Sequence, residues 1–272
     1  MKFQLKALAA AAILAAALPA QAAIDDTTTA GNGSLILVTL DVVANISAVF
    51  DLGKNYSDFN VAGTSFANSG VTNPGTSFSW NLTSGDYATA WSLFNTTATA
   101  ANIKYAVISA DNIGAGAGNR GLISTYSAFV TNPTTGQLGT VSQNLDTMVL
   151  ANQIGSAVLL ENHSTVLNGG SSVATSGQPY VYNYLFNGRN SNLGPVAAGA
   201  IGSDLGVFQY TSAATTFVTP TLTVFGNGAK FNLGTNGSLV YSTVAAVPEA
   251  DTWAMMMLGL GFMGFVARRK QA

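Results

Sequence analysis

From Val38 to Phe50 the chain alternates with a period of two. Val38, Leu40, Val42, Ala44, Ile46, Ala48 and Phe50 fall on one face, with Thr39, Asp41, Asn45, Ser47 and Asp51 on the other. That pattern predicts a strand with one side buried. Thirteen residues exceed the usual strand, so a bend or bulge is expected to divide it. Further strands are expected at 77–82, 102–110, 122–131, 180–186, 206–211, 216–225, 230–233 and 238–244. The last three read as a meander, because Gly226-Asn227-Gly228 and Gly234-Thr235-Asn236-Gly237 tolerate the positive φ of tight turns. Pro220 places its strand at an edge or a bulge, since it has no N–H to give a ladder.

Two segments change period. Tyr87, Trp91, Phe94 and Ala98 recur at helical spacing after Ser84 or Asp86 as N-cap, and Leu145, Met148, Val149 and Asn152 do so after Asn144. Many strands, frequent turns and one to three short helices predict a mainly β fold, a single β-sandwich-like domain over residues 23–247.

The two ends depart from this pattern. Residues 1–22 hold 17 apolar side chains: Lys2 and Lys6 precede an apolar run from Ala7 to Leu18, and Pro19-Ala20-Gln21-Ala22 ends in small residues. This is the layout of a signal peptide cut between Ala22 and Ala23 by signal peptidase after export, and the run is too short to span a bilayer. Residues 248–272 hold a second apolar run at 253–267, closed by Arg268, Arg269 and Lys270. Fifteen residues rise about 22 Å as a helix, short of the roughly 30 Å hydrocarbon core. Trp253 at one interface and snorkelling cations at the cytoplasmic one make up the reach of this expected transmembrane helix.

Composition constrains the middle. Its cations are Lys54, Lys104, Arg120, Arg189 and Lys230 against ten acids, a net charge of −5. Five scattered cations form no nucleic-acid footprint, which needs clustered Lys and Arg. No cysteine is present, which excludes disulfides, thiolate nucleophiles and Cys-ligated metals. Asn, Thr, Ser and Gly supply 100 of the 225 residues, so surface hydrogen bonding falls to uncharged groups.

Candidate chemistry is sparse. Gly116-Ala117-Gly118-Asn119-Arg120-Gly121 matches G-x-G-x-x-G, but the residues after it favour a strand over the helix that a pyrophosphate requires. His163 is the only histidine; no G-x-S-x-G elbow accompanies it, and one histidine does not make the usual metal site. Asp51-Leu52-Gly53-Lys54-Asn55-Tyr56-Ser57-Asp58 spaces its oxygens like a calcium loop, yet lacks the twelfth-position glutamate and reads as a turn. With Glu161 the only glutamate of the middle, a glycosidase pair would need aspartates. Seven N-x-S/T sequons follow from the abundance of Asn, Ser and Thr. No catalytic residue, metal or cofactor is therefore expected, and the chain reads as non-enzymatic. Tyr180, Tyr182 and Tyr184 share one face of a strand with Phe186, where aromatic rings with polar tips could stack on sugars; interior packing is the competing reading.

One resemblance bears on function. Val247-Pro248-Glu249, Thr252-Trp253-Ala254-Met255, Leu258-Gly259-Leu260-Gly261 and the closing Arg268-Arg269-Lys270 resemble the PEP-CTERM protein-sorting signal. It covers about 25 residues, and Ala250 stands where the family usually has a second proline. The resemblance implies a Gram-negative exporter whose exosortase, a cysteine transpeptidase-like membrane enzyme, cuts near Pro248 and Glu249. The precursor would sit in the inner membrane with its C-terminus cytoplasmic, and the product would reach the surface or medium, usually alongside exopolysaccharide in a biofilm. A matrix protein is thus the expected class; a carbohydrate-binding or adhesive module and a secreted hydrolase are the alternatives.

Overall fold

The computed structural model describes residues 31–62, 66–113, 117–127, 165–167, 171–175, 198–212, 218–245, 256–258 and 260. The alternation at 38–50 belongs to two strands. β1 (Ser34–Asp41) and β2 (Ile46–Asn55) form an antiparallel hairpin across a turn at residues 42–45. Asn45 takes φ 54°, a left-handed conformation open to asparagine. Pairing of Val38 with Val49 and of Thr39 with Ala48 puts Val38 and Leu40 on the opposite face from Ile46, Ala48 and Phe50. The bend is therefore a reversal, and the pattern ran through it unbroken because Val42, Val43 and Ala44 are themselves apolar.

The remaining strands are β3 (Ser77–Asn81), β4 (Lys104–Asn112), β5 (Arg120–Tyr126), β6 (Thr165–Leu167), β7 (Ser171–Thr175), β8 (Gly199–Ala200), β9 (Asp204–Thr211), β10 (Thr221–Val224), β11 (Lys230–Leu233) and β12 (Ser238–Ser242). Mainly β with few short helices is what the sequence leads one to expect. Instead of two separate sheets, however, the described strands join in one, ordered β3-β12-β11-β9-β5-β4-β1-β2-β7-β6. β8 adds to β4 and β10 to β9, and every pairing is antiparallel. The sheet curls until β3, at one end of the order, meets β2 near the other: Trp80 Nε1 donates to Leu52 O at 2.7 Å. β2 frees its end for this contact with a bulge, where the register with β1 shifts and Gly53 takes φ 62°.

The expected meander is only half present. β11 and β12 pair as a hairpin, but β10 pairs with β9 and not with β11. β9 gives residues 208–211 to β10 and 204–206 to β11 along the same edge, so the Gly226-Asn227-Gly228 turn shifts the chain sideways. Pro220 sits immediately before β10, whose only partner among the described strands is β9, in keeping with an edge position.

Inside the curl lies one apolar cluster, including Leu35, Leu37, Phe50, Tyr105, Val107, Ile123, Phe231 and Tyr241. α1 (Tyr56–Phe59) drops Phe59 into it, 5.1 Å from the Tyr241 ring and 5.8 Å from that of Phe231. α2 (Ala88–Thr97) follows a 3-10 turn at Gly85–Tyr87, so Tyr87 and not Ser84 or Asp86 is its N-cap, and no side chain caps it; it buries Ala90 together with Trp91 and Phe94 of the periodic face read from sequence. Tyr87 and Trp91 meet Phe50 at 5.9 and 6.3 Å, contacts worth about 1 kcal/mol each beyond burial. The central strands are also buried on their other face, through Ile36, Val38, Leu40, Ile108, Leu122 and Phe208.

Strand directions sort the connections onto two rims. One carries the 42–45 turn, residues 98–103, 200–203 and the 234–237 turn. The other carries 31–33, α1, residues 72–76, the β4–β5 hairpin, the β9–β10 and β10–β11 connections and the chain exit at 243–245.

Candidate functional site

The chain leaves the sheet at a clamped position. Past β12, Thr243 N donates to Thr76 O at 2.9 Å and Thr243 Oγ1 to Asn73 O at 2.7 Å. Val244 N donates to Asn227 O at 2.8 Å and Val244 O accepts from Gly75 N at 3.1 Å. The turn at Gly226–Gly228 and the loop at 72–76 thus hold the last residue of the fold from two sides. Val244 is the last residue with a described hydrogen bond, two positions before residue 246. Pro248, Glu249, Trp253, Arg268, Arg269 and Lys270 lie outside the described residues, as do Ala22 and Ala23, His163, and Tyr180, Tyr182 and Tyr184. Residues 256–258 and 260 are helical with exposed apolar side chains. Among the described residues no helix is long and apolar enough to cross a membrane.

On the rim where the chain exits, a polar cluster interrupts the core, and the sequence did not single it out. Gln209 faces inward from β9 and is fully buried. Its Nε2 lies 2.7 Å from both Tyr56 Oη and Asn60 Oδ1, and 3.0 Å from Ala62 O; its Oε1 accepts from Val61 N at 2.8 Å. One amide thereby ties the strand to the chain leaving α1. Tyr56 reaches it across Gly121 of β5, where any Cβ would overlap the phenol. Burial first, and the negative charge of Asp111 second, push the Tyr56 hydroxyl far above its ordinary value.

Asp111, near the end of β4, is fully buried in this cluster. Oδ1 accepts a long 3.4 Å hydrogen bond from Asn32 N, and Oδ2 has no partner. Gly31, at φ 66°, lies so close that a Cβ there would strike Oδ1. Desolvation outweighs the backbone donors of Asn32 and Asn112 and raises the carboxyl from 3.8 to about 6. Asp41, equally buried, behaves oppositely. Burial opposes its charge, but N–H groups of Ala44, Thr99 and Val43 at 3.0, 2.8 and 2.9 Å, with the Asn102 side chain, hold it below the usual range. Period two assigned Asp41 to a polar outer face; it is an interior cap for the 42–45 turn.

The chemistry open to these groups is limited. Tyr56, Gln209 and Asp111 are all buried, with Gln209 bound to the chain at 60–62 and Asp111 under Gly31 and Asn32, so these groups order backbone. The segment with calcium-like spacing is not the expected turn but the bulged end of β2 running into α1: Asp51 Oδ1 accepts from Gly53 N at the bulge and Asp58 Oδ2 from Asn55 N at the helix N-terminus, both at 2.9 Å. Among the described residues no group of three His, Cys, Asp or Glu side chains could hold a metal ion. Gly118, Asn119 and Arg120 lead into β5 of a hairpin, the strand context that argues against pyrophosphate binding.

No curated protein and no solved structure matches the chain. Residues 246–270 match the PEP-CTERM protein-sorting motif, which indicates an exported protein sorted through the membrane in an exosortase-type interaction.

Proposed function

We propose that residues 23–247 are the cargo of this sorting signal: a non-enzymatic surface or extracellular matrix protein, cut near Pro248 and Glu249 by an exosortase and associated with exopolysaccharide. The observation that carries the reading is the position of the motif. It begins at residue 246, two residues after the Val244 clamp and past the last strand, so the motif follows the described sheet and contributes no strand to it. The buried polar cluster, whose described bonds run to backbone and among its own members, suits a structural role. A surface rich in Asn, Thr and Ser suits hydrogen bonding to neutral sugars, and Tyr180, Tyr182 and Tyr184 are the residues proposed to stack on them.

Mass spectrometry of the protein recovered from the cell surface and culture medium is the test. The expected product lacks residues 1–22 and 253–267; a surface form that keeps Arg268, Arg269 and Lys270 overturns the processing. Co-sedimentation with purified exopolysaccharide, lost on Tyr182→Ala with unchanged unfolding, tests the association.

A further inference from the structure

The rim where the chain exits gathers more exposed large apolar side chains than the opposite one. Ile113 lies at the β4–β5 hairpin (46% exposed), Val218 (47%), Leu222 (38%) and Val224 (46%) lie before and on β10, and Val244 (60%) is at the exit itself, against Val42 and Val43 in the 42–45 turn. The segments around them, 66–76, 218–229 and 242–245, contain no charged residue. The charges near this rim are few: Lys54, Arg120 and Asp58, with Asp51 and Asp111 buried beneath them and Lys230 at the start of β11 beside Ser242. The opposite rim carries Asp86, Lys104 and Asp204, the last reached at 2.6 Å by the Lys230 side chain from the other end of β11.

Chain length decides what can meet the exit rim. Eight residues, 245 to 252, separate Val244 from Trp253, where the apolar stretch begins. Fully extended they reach about 30 Å, the thickness of the hydrocarbon core alone. While that stretch is in the bilayer, the exit rim is therefore the part of the domain held nearest the lipid. Uncharged loops whose polar groups are hydrogen-bonded approach lipid at lower cost than ionised groups, which would have to be stripped of water.

We propose that this rim is a lipid-resting surface: Ile113, Val218, Leu222 and Val244 enter the headgroup boundary, Lys54 and Arg120 face anionic headgroups, and the domain is seated on the membrane until the sorting segment is cut. This rests on the membrane-sorting reading, and the test separates the two. The cysteine-free chain accepts single spin labels without further change. Ile113→Cys, Leu222→Cys and Val244→Cys report the rim, Val43→Cys (76% exposed) the opposite rim, and Leu260→Cys the apolar stretch. The labelled full chain is reconstituted in vesicles of phosphatidylcholine and phosphatidylglycerol. Collisions with oxygen, which dissolves in lipid, are compared with those of a water-soluble nickel chelate. The expected oxygen-to-chelate ratio is several-fold higher at 113, 222 and 244 than at 43, and the contrast is weaker without phosphatidylglycerol. A lipid signal at 260 with 113, 222 and 244 as aqueous as 43 overturns the resting surface alone; an aqueous signal at 260 as well overturns both readings.

Discussion

Replacing Asp111 by asparagine tests the physical account of the interior directly. The carboxyl is fully buried, has only the backbone N–H groups of Asn32, at a long 3.4 Å, and Asn112 to favour its charge, has no donor to Oδ2, and is pushed by burial from 3.8 up to about 6. A carboxyl raised on folding favours the native state in its neutral form. Its contribution is fully present below pH 3.8 and is lost as pH rises through about 6, after which it is constant. A shift of about two pKa units corresponds to about 3 kcal/mol, an upper limit because water and side chains relax around a buried charge. Asp111→Asn keeps the shape and removes the charge, so it is expected to stabilise the protein by about 1–3 kcal/mol at pH 7.5 and to leave it within about 0.5 kcal/mol at pH 4. Urea unfolding of both proteins from pH 4 to 8 gives the difference, and subtraction cancels the other carboxylates. Asp41 contributes with the opposite sign, its stabilisation being lost as pH falls through its lowered pKa. A wild-type-minus-variant difference that is flat across pH 4–6.5, or a variant less stable at pH 7.5, refutes the argument.

Gly121→Ala is expected to cost about 1–3 kcal/mol, because its Cβ meets the Tyr56 phenol, which Gln209 and the Tyr56 N–H to Gly33 O bond at 2.9 Å hold in place; thermal unfolding measures it. Tyr105→Phe removes a hydroxyl near Ser203 O at 2.6 Å and Phe231 O at 2.9 Å, and should lower stability by about 1–2 kcal/mol in urea without changing the denaturant slope. Ending the chain at residue 247 should leave the unfolding midpoint of the domain unchanged, since every strand of the described sheet and the Val244 clamp precede it; a clear drop would show that the tail supports the fold. Calcium and chelator should leave that midpoint unchanged, because Asp51 and Asp58 already accept backbone donors.

What the sequence revealed follows from how local each signal is. The Lys230–Leu233 strand was bounded correctly because Phe231 and Leu233 alternate with polar neighbours between two glycine turns, all within one short stretch. The sorting motif is also read in line along the chain and needs no tertiary partner, which is why residues 246–270 were legible before any coordinate. The β1–β2 reversal was hidden because an apolar turn continued the alternation, leaving Asn45 as its one local mark. The place of β10 was hidden for a different reason. Gly226-Asn227-Gly228 has hairpin chemistry, but whether its flanks pair depends on how the edge of β9 is shared, a non-local fact.

The interior polar groups are the instructive failure. Binary patterning places Thr39 and Asp41 outside, because it assigns each side chain the cost of burial alone. Thr39, Asp41, Gln209 and Asp111 are all fully buried, yet their partners differ: Ala48 O, turn N–H groups, the loop after α1, and almost nothing. The first three can be understood once backbone donors and acceptors are counted, for a satisfied polar group costs little inside a protein. Asp111 is not satisfied, and the fold keeps it at the rim where residues 31–33 close over β4. An unsatisfied carboxyl stabilises nothing at neutral pH, so the closure must be held by its neighbours: Ser109 Oγ to Gly33 O at 2.8 Å, Gly33 N to Ala110 O at 3.0 Å and Ser57 N to Asn32 Oδ1 at 2.8 Å. Those three bonds act at every pH while Asp111 opposes them only when ionised. The 31–33 closure should therefore loosen between pH 4 and 7 before the sheet does. Hydrogen exchange at the Gly33 and Ser57 amides, corrected for the intrinsic rise with pH, should show protection falling over that interval in the wild type and holding in Asp111→Asn; parallel profiles in the two proteins would locate the strain elsewhere.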